Sequence, residues 1–292
     1  MMEMYLNAYL RESKVQGHSI NSINARRKDL KLFFNWGNFQ ELEEIDRFKL
    51  MEFINYCQDK GLKSSTINTR VVIIKAFFKW LVDEEIISKN PVEKVKVPKR
   101  EKTVIKTFDK NEVEEMINYY NGKDYVSVRN KTILTLLAET GIRVSELCGI
   151  KNDDVYDNMI RIKGKGNKQR FVPISDILHL QLFKYSVARD KNSKSSLTNY
   201  YFYSTWGKQM SYMIPRDIIR KVGKALDLDV KLITHGFRRF YAQSMLDNID
   251  LYTLSRLLGH ENIKTTEIYV RGTEDEKILQ RGMNSPLSKG FP

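Results

Sequence analysis

Cysteine is almost absent from this chain. Cys57 and Cys148 are the only two in 292 residues, and they lie far apart in apolar-patterned segments. No C-x-x-C pair exists, so neither a disulfide framework nor a zinc knuckle is indicated, and no metal site is expected. Two buried thiols in a reducing cytoplasm fit best. Long apolar runs are missing as well. The longest candidates are broken by Lys or Asp before membrane-spanning length, which argues against a transmembrane helix. The start, Met1-Met2-Glu3-Met4, has no basic stretch followed by an apolar core, so no secretory signal is expected. There is no internal repeat and no low-complexity segment. Acidic residues are in deficit: 36 Asp and Glu against 49 Lys and Arg leave a net charge of +13. An excess of that size favours a polyanionic partner, nucleic acid before an anionic membrane surface.

What is present suffices for two packed domains. Apolar residues make up 41% of the chain and charged residues 29%, the balance of a soluble protein with real cores. The first third reads as a bundle of about four helices. Ser22 to Trp36 places Leu30, Phe33 and Phe34 on one face. Asp46 caps a helix carrying Leu50, Phe53, Ile54 and Cys57, which Lys60-Gly61 ends. Ser64 or Ser65 caps a long helix through Phe77, Phe78 and Leu81, whose other face offers Asn68, Arg70 and Lys75. The expected boundaries are a helical domain over 1–88, a basic, proline-punctuated linker over 89–106, and a second domain over 107–292. That second domain opens with a cap at Phe108-Asp109 and a helix over Glu112 to Tyr120. A helix over Asn130 to Glu139 follows, broken by Gly141, and Val144 to Ile150 restarts helical. The period then changes to two. Met159-Ile160-Arg161-Ile162, a glycine-rich tip and Arg170-Phe171-Val172-Pro173 form a β-hairpin. The remainder is helical.

Four motifs carry chemistry, and each has an ordinary reading when taken alone. Thr140-Gly141-Ile142-Arg143-Val144-Ser145-Glu146-Leu147 puts Arg143 at a helix start, with Glu146 three residues on to hold its guanidinium; alone this is a surface ion pair worth little. Gly164-Lys165-Gly166-Asn167-Lys168 lifts two lysines onto a hairpin tip, which alone is an exposed turn. Thr234-His235-Gly236-Phe237-Arg238-Arg239 sets an imidazole and a guanidinium three apart on a helix, a pair suited to an anion. Leu257-Leu258-Gly259-His260 followed by Thr265-Thr266-Glu267-Ile268-Tyr269 brings a histidine and a tyrosine together across a tight turn. There Gly259 ends one helix and Thr265 or Thr266 caps the next. A phenol with a pKa of about 10 needs nearby cations and a proton acceptor before it attacks anything.

In this order and spacing, TGIRVSEL, GKGNKQRFVPI, THGFRR and LLGHENIKTTEIY resemble the tyrosine recombinase (lambda-integrase) family, and within it the short Xer-like members. The family's pattern is Arg, Lys, His-x-x-Arg, His or Trp, Tyr, and the likeness spans both domains. One departure is Arg239, where a histidine is common. The resemblance implies a mainly α fold with a small β-sheet: an N-terminal four-helix SAM-like core-binding domain and an α+β catalytic domain, together a C-shaped DNA clamp. It also implies that Tyr269 attacks a phosphodiester to give a 3′-phosphotyrosyl bond, with Arg143 and Arg238 on the non-bridging oxygens. Lys165 would be the acid for the leaving 5′-oxygen, and His235 would take the tyrosine proton. His260 would hydrogen-bond the phosphate, and Glu146 would orient Arg143. No metal and no nucleotide cofactor is called for.

The partners implied are paired double-stranded DNA sites and a homotetramer, with or without a related second recombinase, working in the cytoplasm through a Holliday junction. Arg70, Lys75, Lys99, Arg100, Lys102 and Lys168 are the expected phosphate contacts. The segment beyond Tyr269, with Ile278 and Leu279, is read either as a dock for a neighbouring protomer or as a frayed tail. Two rival functions are a type IB topoisomerase, which shares the chemistry, and a non-catalytic DNA-binding regulator on the same fold. Tyr252 and Tyr241 are the alternative nucleophiles.

Overall fold

A computed structural model describes residues 2–97, 107–164, 166, 168–228 and 235–270. The chain divides into two compact units, Met1–Thr103 and Val104–Pro292. It is mainly helical, with one two-stranded sheet among the described residues. None of the described helices is long and apolar enough to cross a membrane.

The first unit holds α1 (Met2–Val15), α2 (Ile20–Gly37), α3 (Arg47–Asp59) and α4 (Ser64–Asp83). Short polar side chains start two of them: Ser19 accepts the Ser22 N–H, and Asp46 accepts the Lys49 N–H at 2.8 Å. At α4 the expected serine cap is absent. Lys63 is the N-cap without a side-chain bond, and Ser64 is already helical. The inward stripes meet in a core rich in rings. Phe33 lies edge-on to Phe53 at 5.1 Å and Tyr9 to Phe77 at 5.5 Å, the arrangement aromatic quadrupoles favour.

The stretch expected to open the linker behaves differently. Val92 and Val95 are buried in this same core, and the Lys75 ammonium donates to the Glu93 carbonyl at 2.7 Å. Residues through Val97 therefore belong to the bundle. Two apolar side chains three apart suffice to hold a segment that lacks a longer period.

The second unit opens with α5 (Lys110–Asn118), where Asp109 and Glu112 form a reciprocal capping box. The central helix is α6 (Tyr125–Thr140), capped by Asp124 and ended by Gly141 at φ 59°. It starts five residues before the apolar pattern does, because the cap rather than the pattern sets its start. Its buried Ile133, Leu134, Leu136 and Leu137 meet α8 (Asp176–Asp190), α9 (Met213–Ala225) and α10 (Gly236–Met245). α7 is a single turn, Val144–Leu147, shorter than its apolar pattern suggests.

The hairpin is β1 (Met159–Lys163) with β2 (Gln169–Pro173), antiparallel in the register Met159 to Pro173 and Lys163 to Gln169. A satellite core of Tyr241, Ala242, Leu254, Leu258 and Tyr269 joins α10 to α11 (Leu251–Leu258) and α12 (Lys264–Val270).

Candidate active site

Glu146 is the centre of the site. It sits one turn after Arg143 on α7, so its carboxylate folds back onto the helix start. Oε2 accepts the Arg143 backbone N–H at 2.8 Å, and Oε1 accepts the Arg143 guanidinium at 2.8 Å. A second guanidinium arrives from β2: Arg170 reaches Oε2 at 2.8 Å and Oε1 at 3.1 Å, a bidentate grip. Only 5% of the Glu146 side chain is exposed. Burial pushes its carboxyl up, but the Arg170 guanidinium and the Arg143 donors outweigh this and hold it below the usual carboxylate range. The Arg143 side chain remains 37% exposed, with one edge held by Glu146 and the rest open to an incoming anion.

Arg238 enters from the first turn of α10 and is buried. It donates to Gly141 O at 2.8 Å, to Leu258 O at 2.7 Å, and onto Nε2 of His260 at 2.8 Å. Burial, with Arg143 close by, lowers its pKa to about 10, so it stays a cation at neutral pH. Its neighbour Arg170 donates to Leu257 O at 2.7 Å. Two arginines thus cover consecutive carbonyls at the end of α11, the negative end of that helix.

Two glycines permit this closeness. A Cβ on Gly259 would lie 2.9 Å from the Arg170 guanidinium, and one on Gly141 would lie 2.5 Å from the Tyr241 ring. Both positions have positive φ, which other residues rarely adopt.

His260 follows Gly259 directly. Its Nδ1 lies 2.7 Å from the Thr266 hydroxyl, and its ring stacks on Tyr269 at 6.2 Å between centroids and 20° between planes. Burial first, then Arg238, Arg143 and Arg170, bring its pKa down to about 4, so the ring is neutral at pH 7. Tyr269 itself is buried on α12 against the satellite core.

His235 is the N-cap of α10 and not a residue inside it, a correction to the expected helical pair. Burial, then Arg239, Arg238 and Arg143, lower its pKa. The imidazole is therefore a free base able to take a proton. Arg143, Ser145, Tyr212, His235 and Arg238 line a cavity of about 230 Å³ with an apolar floor that includes Ile142 and Ile219.

The structure brings Arg143, Glu146, His235, Arg238, His260 and Tyr269 into this one unit. Lys165 lies outside the described residues, as do Lys99, Arg100, Lys102, Ile278 and Leu279. Lys168 is described: its ammonium meets Glu261 at 2.6 Å in an exposed pair.

Arg70 is a correction. Its side chain is only 15% exposed, 3.5 Å from the equally buried Asp29, and it also touches the Cys57 sulfur. It braces the bundle and does not face outward for DNA. Lys75 is likewise engaged by the Glu93 carbonyl.

Sequence reasoning missed Arg170 and Thr266. For Arg170 a signal existed. Alternation along β2 puts residue 170 on the same face as the buried Val172, and an inward arginine needs a buried anion. For Thr266 the expectation was a helix cap. Instead Asn262 caps the Lys264 N–H at 2.9 Å, which leaves Thr266 inside α12 and fully buried.

Comparison with known proteins is consistent along the whole chain. The Phage integrase family matches residues 106–276, and the phage integrase N-terminal SAM-like domain matches residues 5–85. Tyrosine recombinase XerD of Halalkalibacterium halodurans is 30% identical over 278 residues, covering 92% of this chain and 93% of that protein. Tyrosine recombinase XerC of Thermodesulfovibrio yellowstonii is 29% identical over 295 residues, 98% of each. Among solved structures, the XerH site-specific recombinase bound to a palindromic difH substrate aligns with a TM-score of 0.75 at 18% identity, over 92% of this chain and 81% of that one. A lambda integrase tetramer bound to a Holliday junction aligns at 0.70 and 17% identity, over 92% and 76%. At these identities the two structures bear on the fold.

Proposed function

The chain belongs to the phage integrase family, as a site-specific tyrosine recombinase of the Xer-like type that cleaves and rejoins DNA, and on that premise we propose which of its residues do the work. The observation that carries the assignment is the chain of contacts from Glu146 through Arg143, and from Arg238 through His260, to the ring of Tyr269. It gathers fixed positive charge where a pentavalent phosphorane would form.

In this reading the Tyr269 oxygen attacks phosphorus and the bond from phosphorus to the 5′-oxygen breaks. His235, held neutral, takes the phenolic proton. Lys165 gives a proton to the departing 5′-oxygen. Arg143 and Arg238 grip the non-bridging oxygens, and His260 donates a hydrogen bond to one of them. Glu146, clamped by Arg170, keeps Arg143 oriented. Rejoining runs the same steps backward with a new 5′-hydroxyl. The phosphotyrosine stores the bond energy, so no nucleotide is consumed.

The substrate is duplex DNA, and the working form is a multimer on it, in keeping with the DNA-bound and tetrameric relatives. We assign a homotetramer on two paired sites, acting in the cytoplasm, with Lys99, Arg100, Lys102 and Lys168 on phosphates. The domain plan is a helical DNA-binding domain, a basic connection after Val97 and a catalytic domain.

The test begins with a site. Tyr269→Phe removes one hydroxyl, so this protein should still select a duplex from a random-sequence library. Wild-type protein should then form a covalent adduct on a nicked version of that duplex, and Tyr269→Phe should form none. An adduct on the Phe variant moves the nucleophile to Tyr252 or Tyr241.

A further inference from the structure

The contacts of His260 contain a conflict. Arginine N–H groups only donate, so the bond from Arg238 requires a bare lone pair on Nε2. The single proton of the neutral ring must then be on Nδ1, where it donates to the Thr266 oxygen at 2.7 Å. A histidine in this tautomer has no N–H to offer a phosphate. The arrangement also strands a proton. Thr266 is fully buried, and among the described residues no acceptor is placed for its own hydroxyl hydrogen. The opposite tautomer would satisfy it, with the hydroxyl donating to Nδ1, but Nε2–H would then face the Arg238 N–H. Each arrangement therefore has one fault, and the fault is decided by where Arg238 points.

We propose that Thr266 is a positioning residue that lets His260 exchange tautomers when a phosphate enters, its hydroxyl accepting from Nδ1–H in the free protein and donating to Nδ1 once Nε2–H is needed by the phosphate. A phosphate oxygen takes over the Arg238 N–H, which frees Nε2. The ring releases its Nδ1 proton to solvent and takes one at Nε2, so its net charge is unchanged; His260 is only half-buried, and water can reach it. The hydroxyl follows by rotating about its C–O bond. Thr266 lies three residues before Tyr269 on α12, so the group that reads the state of His260 sits on the nucleophile's own helix. A hydroxyl serves both directions, while valine, of the same shape, serves neither. The low proton affinity of His260 supports the scheme by keeping the ring neutral throughout.

The inference rests on the assignment of His260 as a phosphate partner, and the experiment separates the two. Protein carrying Tyr269→Phe is labelled with ¹⁵N-histidine, and the His260 ring nitrogens are read by NMR, assigned by loss of the signals in His260→Ala. Spectra are taken free, with inorganic phosphate, and with the nicked duplex found by selection. The expected result is a proton on Nδ1 in the free protein and on Nε2 with the duplex. With Tyr269 intact, Thr266→Val should slow single-turnover cleavage about three- to tenfold, the worth of one neutral hydrogen bond, and Thr266→Ser should restore most of it.

The same tautomer in free and bound spectra overturns the proposal, and that reading needs no variant at position 266. Equal losses in Thr266→Val and Thr266→Ser reduce Thr266 to packing and overturn it as well. If His260→Ala cleaves like wild type, it is the phosphate assignment that fails. If His260→Ala is slow while Thr266→Val is normal, only the tautomer exchange fails.

Discussion

The two units of this molecule are stabilised in opposite ways. In the N-terminal unit the fully buried side chains are rings and aliphatics such as Phe33, Phe53, Phe77, Phe78 and Leu30. Among the described residues its most deeply buried polar groups, Ser13 and Asn68, are uncharged, and the Arg70–Asp29 pair keeps 15% of each side chain exposed. The catalytic unit buries Arg129, Glu146, Asp154 and Arg238 as well as its apolar core. Burying charge is costly unless every charge is paired, and even then an apolar replacement is often as stable. Arg129 and Asp154 pair away from the site, Arg129 with the Tyr203 carbonyl and Asp154 with Arg161 and Lys163. The cluster of Glu146 with Arg143 and Arg170, and Arg238 beside it, instead reflects what the site must do. Fixed charges need no reorganisation when the transition state forms, whereas the N-terminal bundle is held by apolar packing.

The largest effect that sharpens this comparison comes from deleting single charges in the catalytic unit. Lys165→Ala should slow cleavage by about 10²- to 10⁴-fold, the usual worth of a general acid. DNA with a bridging 5′-phosphorothiolate should recover most of that loss, because a thiolate leaves without a proton. Arg143→Ala and Arg238→Ala should stay slow on both substrates, since their work is electrostatic. Single-turnover adduct formation on the two substrates measures this. Rescue of an arginine variant, and none for Lys165→Ala, would transfer the acid's role to Lys168.

Next in size is stability. Phe77→Ala should cost the N-terminal unit about 3–5 kcal/mol through a cavity. Arg170→Ala should cost the catalytic unit about 3–5 kcal/mol by a different route, leaving Glu146 buried with Arg143 alone. The two routes differ in how they can be repaired. Glu146→Met combined with Arg170→Met should restore most of the melting temperature lost in Arg170→Ala, yet leave cleavage as poor as in Glu146→Met alone. Calorimetry and adduct assays on the same samples decide it. A double variant that regains cleavage would mean that Glu146 and Arg170 serve only to hold the fold.

Acid distinguishes the units again. The folded pKa of His260 is about 4, against about 6.5 for an unfolded histidine. Between those values the unfolded chain binds a proton that the folded ring refuses, so stability falls as pH drops from about 6.5 to about 4. His235 is lowered in the same direction, and Glu146, held low, loses its contribution at still lower pH. In the N-terminal unit Asp29 runs the other way. Burial raises its pKa although Arg70 opposes this, so its protonation relatively favours the folded bundle as acid is added. Hydrogen exchange followed from pH 7 to pH 4.5 should show the catalytic unit loosening first, and His260→Gln should lessen that loss. Equal loosening of both units, or an unchanged slope in His260→Gln, would contradict the assignment.

The same contrast explains what was legible in the sequence. The bundle is written in period: Leu30, Phe33 and Phe34, then Leu50, Phe53, Ile54 and Cys57, all of which are buried as the pattern requires. The hairpin was visible in its alternation, and the order of the motifs pointed to one site. What stayed hidden was the partner of each polar side chain. Arg70 looked like an outward cation on an amphipathic helix, yet it pairs with Asp29 on another helix, forty-one positions earlier in the chain. Thr266 looked like a cap because threonine caps helices, but Asn262 had taken that place. Arg170 meets Glu146 and Leu257 across long loops, and no local spacing encodes such a meeting. Periodicity reports burial, whereas long-range hydrogen bonds have no period.

The smallest expected effect tests whether surface charge on the catalytic unit matters to the fold at all. Lys168 and Glu261 form a close pair at 2.6 Å, but their side chains are 71% and 75% exposed. Exposed pairs of this kind contribute about 0–1 kcal/mol, because water screens them and two long side chains must be held still. A double-mutant cycle of Lys168→Ala and Glu261→Ala should therefore return a coupling energy below about 1 kcal/mol, smaller still at high salt. DNA binding should respond with a definite sign. If Lys168 neutralises a phosphate it must leave Glu261 to do so, and Glu261 competes with the DNA for the same ammonium. Glu261→Ala should then tighten binding slightly, while Lys168→Ala weakens it and lowers the salt slope by about 0.9, the share of one phosphate contact. Fluorescence anisotropy across a salt series reads both variants. If Glu261→Ala weakens binding, or Lys168→Ala leaves the slope unchanged, the lysine at the hairpin's edge is a surface charge and not a contact.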